Sequence, residues 1–450
     1  MGEPMQANIC VRRIIFVCTI PLVLDVLILP ARGQGSLFCP GHNLNNGICA
    51  NPFVAGQEVN TGNSFSTSAL SSQSLSEVSQ TVTEQSTYAA FAAVKERRDQ
   101  EAAPPSLRST APAPRPSAHD PKSPLVFKAA PSSTYAGPAY AVWGYGFGDW
   151  EKRNDNTVGM NGFGSDADNN LFPISNPINI NRRMTTVGFL GGADVTYRMG
   201  TGLWMFGLLG GYTSSNVTLT SSALGLAEQG GEMSNASSFS TVHATISGPS
   251  VGAYANYANG PLSADLTVKA DFMVIDELFN DFYYNPQQKS ANISGSASVN
   301  MINITVGGNL NYRIPISPTH WWEPTGGFRY TRSEYGSNAA DIGLADGDVY
   351  RVQGGMRFGW EHYSGQGMWQ TTLTGLAYSD VSVNGLVLNT GGFAGSTVLP
   401  SDEGKVRGMG ILATKYNNGA GTTLFGQVDV RGGQNVLGVG GRLGARISLN

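Results

Sequence analysis

The sequence holds few residues of the types that do covalent or metal chemistry. Five histidines and four cysteines are spread over 450 residues. His42, His119, His243, His320 and His362 lie far apart, and no recognisable nucleophile motif surrounds any serine. Hydrolysis needs a base, an orienting carboxylate and a nucleophile converging on one point. The sequence assigns those roles to no residues, so no enzyme activity and no cofactor are expected. Asp166 with Asp168, and Asp346 with Asp348, offer oxygen ligands of the kind calcium takes. Pairs this sparse read as solvated loop residues, and no metal site is expected. Cys39 and Cys49 flank a short loop. In an oxidising compartment a pair so close in sequence is expected to form a disulfide. Only His42 stands near them, too few ligands for zinc.

A second kind of chemistry is carried by charges set into alternating segments. Asp265, Lys269 and Asp271 fall between Leu262, Ala264, Leu266, Val268, Ala270 and Phe272. Arg313 lies in a similar run, as do Arg351, Arg357 and Glu361, and then Arg442 and Arg446. On a pleated strand these charges share one face and the apolar residues the other. If the apolar face meets lipid, the charges face a wet interior, where they pair with one another or with a plug. That is ion pairing rather than catalysis.

Such charges need strands to hold them, and the composition favours strands that meet lipid. Charged residues make up 13% of the chain, about half the usual share of roughly 25%. Glycine, at 58 residues, is abundant. The net charge of −4 provides no basic footprint for nucleic acid. Apart from a marginal N-terminal run, no stretch reaches the roughly 18 apolar residues of a transmembrane helix. Twelve strands are expected, near 139–150, 184–198, 203–217, 241–258, 262–275, 300–315, 319–332, 348–363, 367–383, 405–416, 422–431 and 435–449. Short turns follow the even-numbered strands. Long loops, 151–183, 218–240, 276–299, 333–347 and 384–404, follow most odd ones. An even count with short turns on one side and long loops on the other is the pattern of an outer-membrane barrel. The expected fold is therefore all-β, a twelve-stranded antiparallel transmembrane barrel over residues 139–450, integral to the outer membrane of a Gram-negative cell. Aromatics near strand ends, among them Trp143, Trp204, Trp321, Trp322, Trp369 and Tyr416, are expected in interfacial girdles.

The N-terminal third divides by composition. Arg12 and Arg13, the apolar run Ile14 to Leu29 and Ala31-Arg32-Gly33 predict a signal peptide over residues 1–33. Residues 34–66 form a short polar segment. Over 67–103, Leu75, Val78, Val82, Gln85, Ala89 and Ala92 recur at steps of three and four, which predicts an amphipathic helix. Ser74 and Glu77 suggest a capping box at its start. At about 45 Å, a helix from Leu70 to Asp99 is long enough to cross a pore. Its polar surface suits a wet lumen and equally an exposed or self-associating helix. Residues 104–138 are rich in proline and predict a semi-rigid linker.

The segment Val142-Trp143-Gly144-Tyr145-Gly146-Phe147-Gly148-Asp149-Trp150-Glu151 resembles the first strand of the autotransporter β-domain family, outer-membrane translocator barrels. The helix rich in Ser, Thr and Gln that ends Phe91-Ala92-Ala93-Val94-Lys95-Glu96-Arg97-Arg98 is similar too. The resemblance spans about residues 67 to 450. It implies type V secretion: a signal peptide, a secreted passenger and a twelve-stranded translocator filled by a helix. It also implies insertion by the barrel assembly machinery. Here the passenger is unusually short, residues 34–66, and the proline-rich linker parts helix from barrel. Expected partners are outer-membrane lipid and lipopolysaccharide, the assembly machinery and an unidentified surface ligand. Two other functions stay open, a small-solute channel and a surface adhesin acting through its long outer loops.

Overall fold

A computed structural model describes residues 67–101, 138–165, 171–229, 232–285, 289–337, 339, 344–364, 367–387, 397–398 and 405–449. The expected signal peptide, the Cys39–Cys49 pair and most of the linker lie outside the described residues. No described helix is long and apolar enough to cross a membrane.

Among the described residues one helix, α1 (Thr67–Glu101), precedes twelve long strands. These are β1 (Ala139–Ser165), β2 (Leu171–Met199), β3 (Gly202–Gln229), β4 (Glu232–Asn259), β5 (Leu262–Asn285) and β6 (Lys289–Tyr312), then β7 (His320–Tyr335), β8 (Leu344–Ser364), β9 (Gly367–Val387), β10 (Val406–Asn417), β11 (Thr422–Gly433) and β12 (Val436–Ser448). Each pairs antiparallel with the next. β1 pairs with β12 as well as β2, from Ala141↔Ser448 to Arg153↔Val436, and this closes the barrel. Closure leaves no strand edge for lipid to meet. Tight turns join the strands at the end that holds Ala139 and Ser448. Gly200 and Gly260 sit there with φ of 60° and 57°, a conformation that costs glycine nothing.

Within the lipid-facing band, alternation puts apolar side chains outward and polar ones inward. On β5, Ser263, Asp265, Thr267, Lys269 and Asp271 are buried, while Leu262, Leu266, Val268 and Phe272 are exposed. Beyond the band the pattern inverts. Met273 and Ile275 point in and are buried, and Asp276 points out. Likewise Val217 and Leu219 of β3 point in while Asn216 and Thr220 point out. On β6, Val299 and Met301 point in while Ser298 and Asn300 point out. The cause is a change of solvent. Past the membrane the outer face meets water, and the inner face meets apolar residues of α1.

This inversion corrects the expected loops. Segments 151–183, 218–240 and 276–299 are mostly the arms of long hairpins: β1 to β6 run 24 to 29 residues each. A strand crosses the membrane in about 9–11 residues. The remainder rises outside as a sheet, whose Ser- and Thr-rich water face gives it the look of a loop. On the other side β10, β11 and β12 have only 12, 12 and 13 residues. Between 333 and 347, β7 runs on to Tyr335 and β8 begins at Leu344.

Two more expectations are corrected. Trp143 and Trp321 are not in the girdle but buried in the lumen, at 7% and 4% exposure. Their strand parity sets them on the inward face with Tyr145 and Glu323. The girdle at the tight-turn end includes Trp204 with Tyr257, ring centroids 4.7 Å apart, and Trp369 with Tyr416, 4.8 Å apart. Ser74 and Glu77 lie inside α1 rather than at its start, which is Thr67. Both residue types are tolerated in helix interiors, so the box does not force a beginning.

Candidate functional site

The lumen is occupied by α1, and the helix is held by three successive zones. In the first, Leu75, Val78 and Val82 pack against Met184, Val217, Leu219, Val242, Ile246 and Met273 from the inner face of the hairpins. In the last, at the tight-turn end, the small residues Ala89 and Ala90, with Val94, meet Trp143, Tyr145, Phe147, Leu190, Met205 and Tyr254. Small helix residues there leave room for large wall residues. The Trp143 and Tyr145 rings stack 5.6 Å apart. Trp143 Nε1 donates to the Tyr254 hydroxyl at 2.8 Å, which donates to Asp194 at 3.2 Å. Gly207 makes the space: a Cβ there would lie 2.2 Å from the Tyr254 ring.

The middle zone is polar. Glu84 of α1 accepts from Arg329 at 2.7 Å and from Arg351 at 2.5 Å. Arg351 also binds Asp380 through two nitrogens, at 2.5 and 2.8 Å. Gln85 Nε2 donates to Asp149 at 2.5 Å, and Asn303 donates to Thr83 at 2.5 Å. Lys269 donates to Ser86 of the helix and to Asp271 at 2.6 Å. Buried charges are tolerable only when paired and hydrogen-bonded, and here wall and helix supply each other's partners. The zone grips the helix through these pairs, and Ser86, beside Lys269 and Asp271, is part of that grip.

The charged residues read from the sequence divide by what they touch. Lys269, Asp271 and Arg351 meet the helix. The others bond to the wall. Asp265 accepts from Asn309 at 2.8 Å. Arg313 lies 4.0 Å over Trp321, and Arg357 reaches Glu323 at 3.2 Å. Glu361, near the tight-turn rim, accepts from Gln370 at 2.7 Å. Arg442 pairs with Asp429 at 3.0 Å and Arg446 with Asp194 at 3.4 Å. The sequence reading omitted Glu84, Asp149, Glu151, Arg329 and Asp380. The alternation of Gly144, Gly146 and Gly148 with Trp143 to Glu151 carried the signal for two of them. Glu84 had none beyond its place one residue before Gln85.

The remaining candidates are scattered. His243 and His362 are exposed on the outer wall, and His320 sits in a tight turn with the Ser317 and Thr319 hydroxyls 3.1 and 2.9 Å from its Nδ1. Asp346 accepts from the Tyr335 amide at 2.8 Å and Asp348 from Asn384 at 3.1 Å. No cluster of three metal-ligating side chains occurs among the described residues. Asp166 and Asp168 lie outside them.

The Lys269–Asp271 pair makes a direct prediction. Lys269→Ala strands a buried carboxylate and should lower stability by about 3–5 kcal/mol. Lys269→Met with Asp271→Leu removes both charges and should cost far less. Urea unfolding midpoints in detergent distinguish the two. Equal losses would mean that the ion pair is not the source.

The family profile described as "Autotransporter beta-domain" matches residues 142–429. Three solved structures are similar. The beta domain of the Bordetella autotransporter Brka is 15% identical, with 69% of this chain and 99% of that one covered and a TM-score of 0.42. The transport unit of AIDA-I from Escherichia coli is 13% identical, with 69% and 90% covered and a TM-score of 0.43. The translocator domain of NalP from Neisseria meningitidis is 12% identical, with 70% and 90% covered and a TM-score of 0.37. No curated protein matches the chain.

Proposed function

Because the chain belongs to the autotransporter β-domain family, an integral outer-membrane barrel of the type V secretion class, we propose that it displays its own segment upstream of Thr67 on the cell surface and keeps α1 as a plug. The observation that carries this reading is the direction of the helix. Leu75 lies among the tall hairpins, and Val94 lies at the end that holds Ala139 and the tight turns. Tight turns in such barrels face the periplasm. The chain therefore enters the helix from the outer side.

The barrel acts here as translocator and holder, with no catalytic step. Insertion by the barrel assembly machinery and contact with lipid and lipopolysaccharide belong to the same proposal. A solute channel needs an open lumen, and the occupied one speaks against it. An adhesin would present hairpin sheets rather than the long loops expected at 151–183 and 218–240.

A tag placed near Gln34 tests the reading. On intact cells, external protease should remove the tag while a periplasmic marker survives. Removal only after the outer membrane is opened would place the segment in the periplasm and end the proposal.

A further inference from the structure

Among the described residues, two cations stand side by side on the outward face of the barrel. Lys152 on β1 lies directly opposite Arg183 on β2. Both point away from the lumen, because Glu151 and Arg182 beside them are buried and pair with each other at 2.5 Å. Like charges directly opposite on one sheet face destabilise it. Among the described residues no carboxylate pairs with either cation. On β7, by contrast, Arg332 has Glu334 at 3.2 Å.

The position of the pair matches a headgroup. The next outward residue of β1 toward the membrane centre is Trp150, 38% exposed, and Val187 of β2, 56% exposed, marks the top of the apolar band. Asn154 and Asn181, on the far side of the cations, are exposed polar residues. Below Trp150 the outward face of β1 is bare glycine. A Cβ on Gly144, Gly146 or Gly148 would meet nothing closer than 3.8 Å. Phe189 on β2 and Leu443 on β12 lie directly opposite Gly146 on its two sides and stand 61% and 74% exposed. Opposite Gly144 and Gly148 stand Gly191, Ala445 and Gly441, small as well, so below Trp150 the wall is a shallow apolar patch.

We infer that Lys152 and Arg183 bind the phosphate of an outer-leaflet glycolipid, whose acyl chain lies over the shallow apolar patch below Trp150. The outer leaflet as its source rests on the orientation proposed above. A phosphate supplies the charge that the opposed cations lack, and acyl chains complement the apolar patch. Arg and phosphate also match in hydrogen-bonding geometry.

The full-length chain in detergent is titrated with bisphosphorylated lipid A, dephosphorylated lipid A, phosphatidylglycerol and inorganic phosphate, with binding followed by thermal shift. Lipid A is expected to bind the wild type. Lys152→Gln with Arg183→Gln should weaken it about 30-fold. Arg198→Gln, an exposed cation at the opposite end, should leave affinity unchanged. If the double variant inserts poorly, Arg183→Gln alone serves, with a smaller loss expected. Equal affinity of variant and wild type would overturn the site. Equal binding of inorganic phosphate would reduce it to a bare anion site, and equal binding of phosphatidylglycerol would overturn the choice of glycolipid. None of these depends on where residues 34–66 lie, so the tag experiment can fail separately.

Discussion

A chain lacking residues 67–101 is expected to conduct ions continuously in planar bilayers, where the full chain shows at most brief, small openings. Deletion empties a lumen whose polar middle, lined by Asp149, Lys269, Asp271, Arg329 and Arg351, would fill with water. It also uncovers the apolar inner face of the hairpins. Leu75, Val78, Val82 and Val94 are each at most 1% exposed in the intact protein. At roughly 1.5–3 kcal/mol per apolar side chain, these four contribute about 6–12 kcal/mol before ordering costs. The deleted barrel should therefore also lose its compact form at lower temperature on heated gels. Conductance no greater than that of the full chain would mean that some other element closes the pore.

The second large effect is expected from one side chain. Glu84→Ala removes the carboxylate shared by Arg329 and Arg351, at 2.7 and 2.5 Å. Arg351 keeps Asp380, whereas Arg329 is left facing a second guanidinium with the helix charge gone. Breaking a buried pair costs about 3–5 kcal/mol. Glu84 keeps 14% side-chain exposure, so the lower end is expected. The loss should appear as an earlier urea midpoint and as flickering conductance from a loosened plug. Glu84→Asp, which keeps the charge on a shorter arm, should recover part of both. A Glu84→Ala protein with unchanged midpoint and silent pore would show that apolar packing alone retains the helix.

The barrel was legible in the sequence because a lipid-facing strand must alternate. Segments such as Leu262 to Phe272 are constrained on both faces, and their number and tight-turn ends follow from that constraint. The outer halves of the hairpins were not legible, because they obey the same period with reversed sense. A run such as Ser214 to Ser222 keeps Val217 and Leu219 inward but shows water only small polar side chains. Read for an apolar outer face, it looks like a loop. Trp143 was misplaced for a related reason. An aromatic near a strand end belongs to lipid or lumen according to the parity of its neighbours, here Tyr145, Phe147 and Asp149. The place of α1 was undecidable from its own residues. Ser79, Thr83 and Ser86 are compatible with water, and only the wall shows that all three are buried.

The reversed polarity of the outer hairpins also bears on timing. Val217, Ile246, Met273 and Met301 would face open water if these strands reached the surface around an empty centre. Four adjacent hairpin arms with bare apolar faces collapse on one another or on a neighbouring barrel. With Leu75, Val78 and Val82 already between them, the same arms find a surface to fold against as they emerge. A helix in place that early would be a mould as well as a stopper, with the outer wall taking its curve against it.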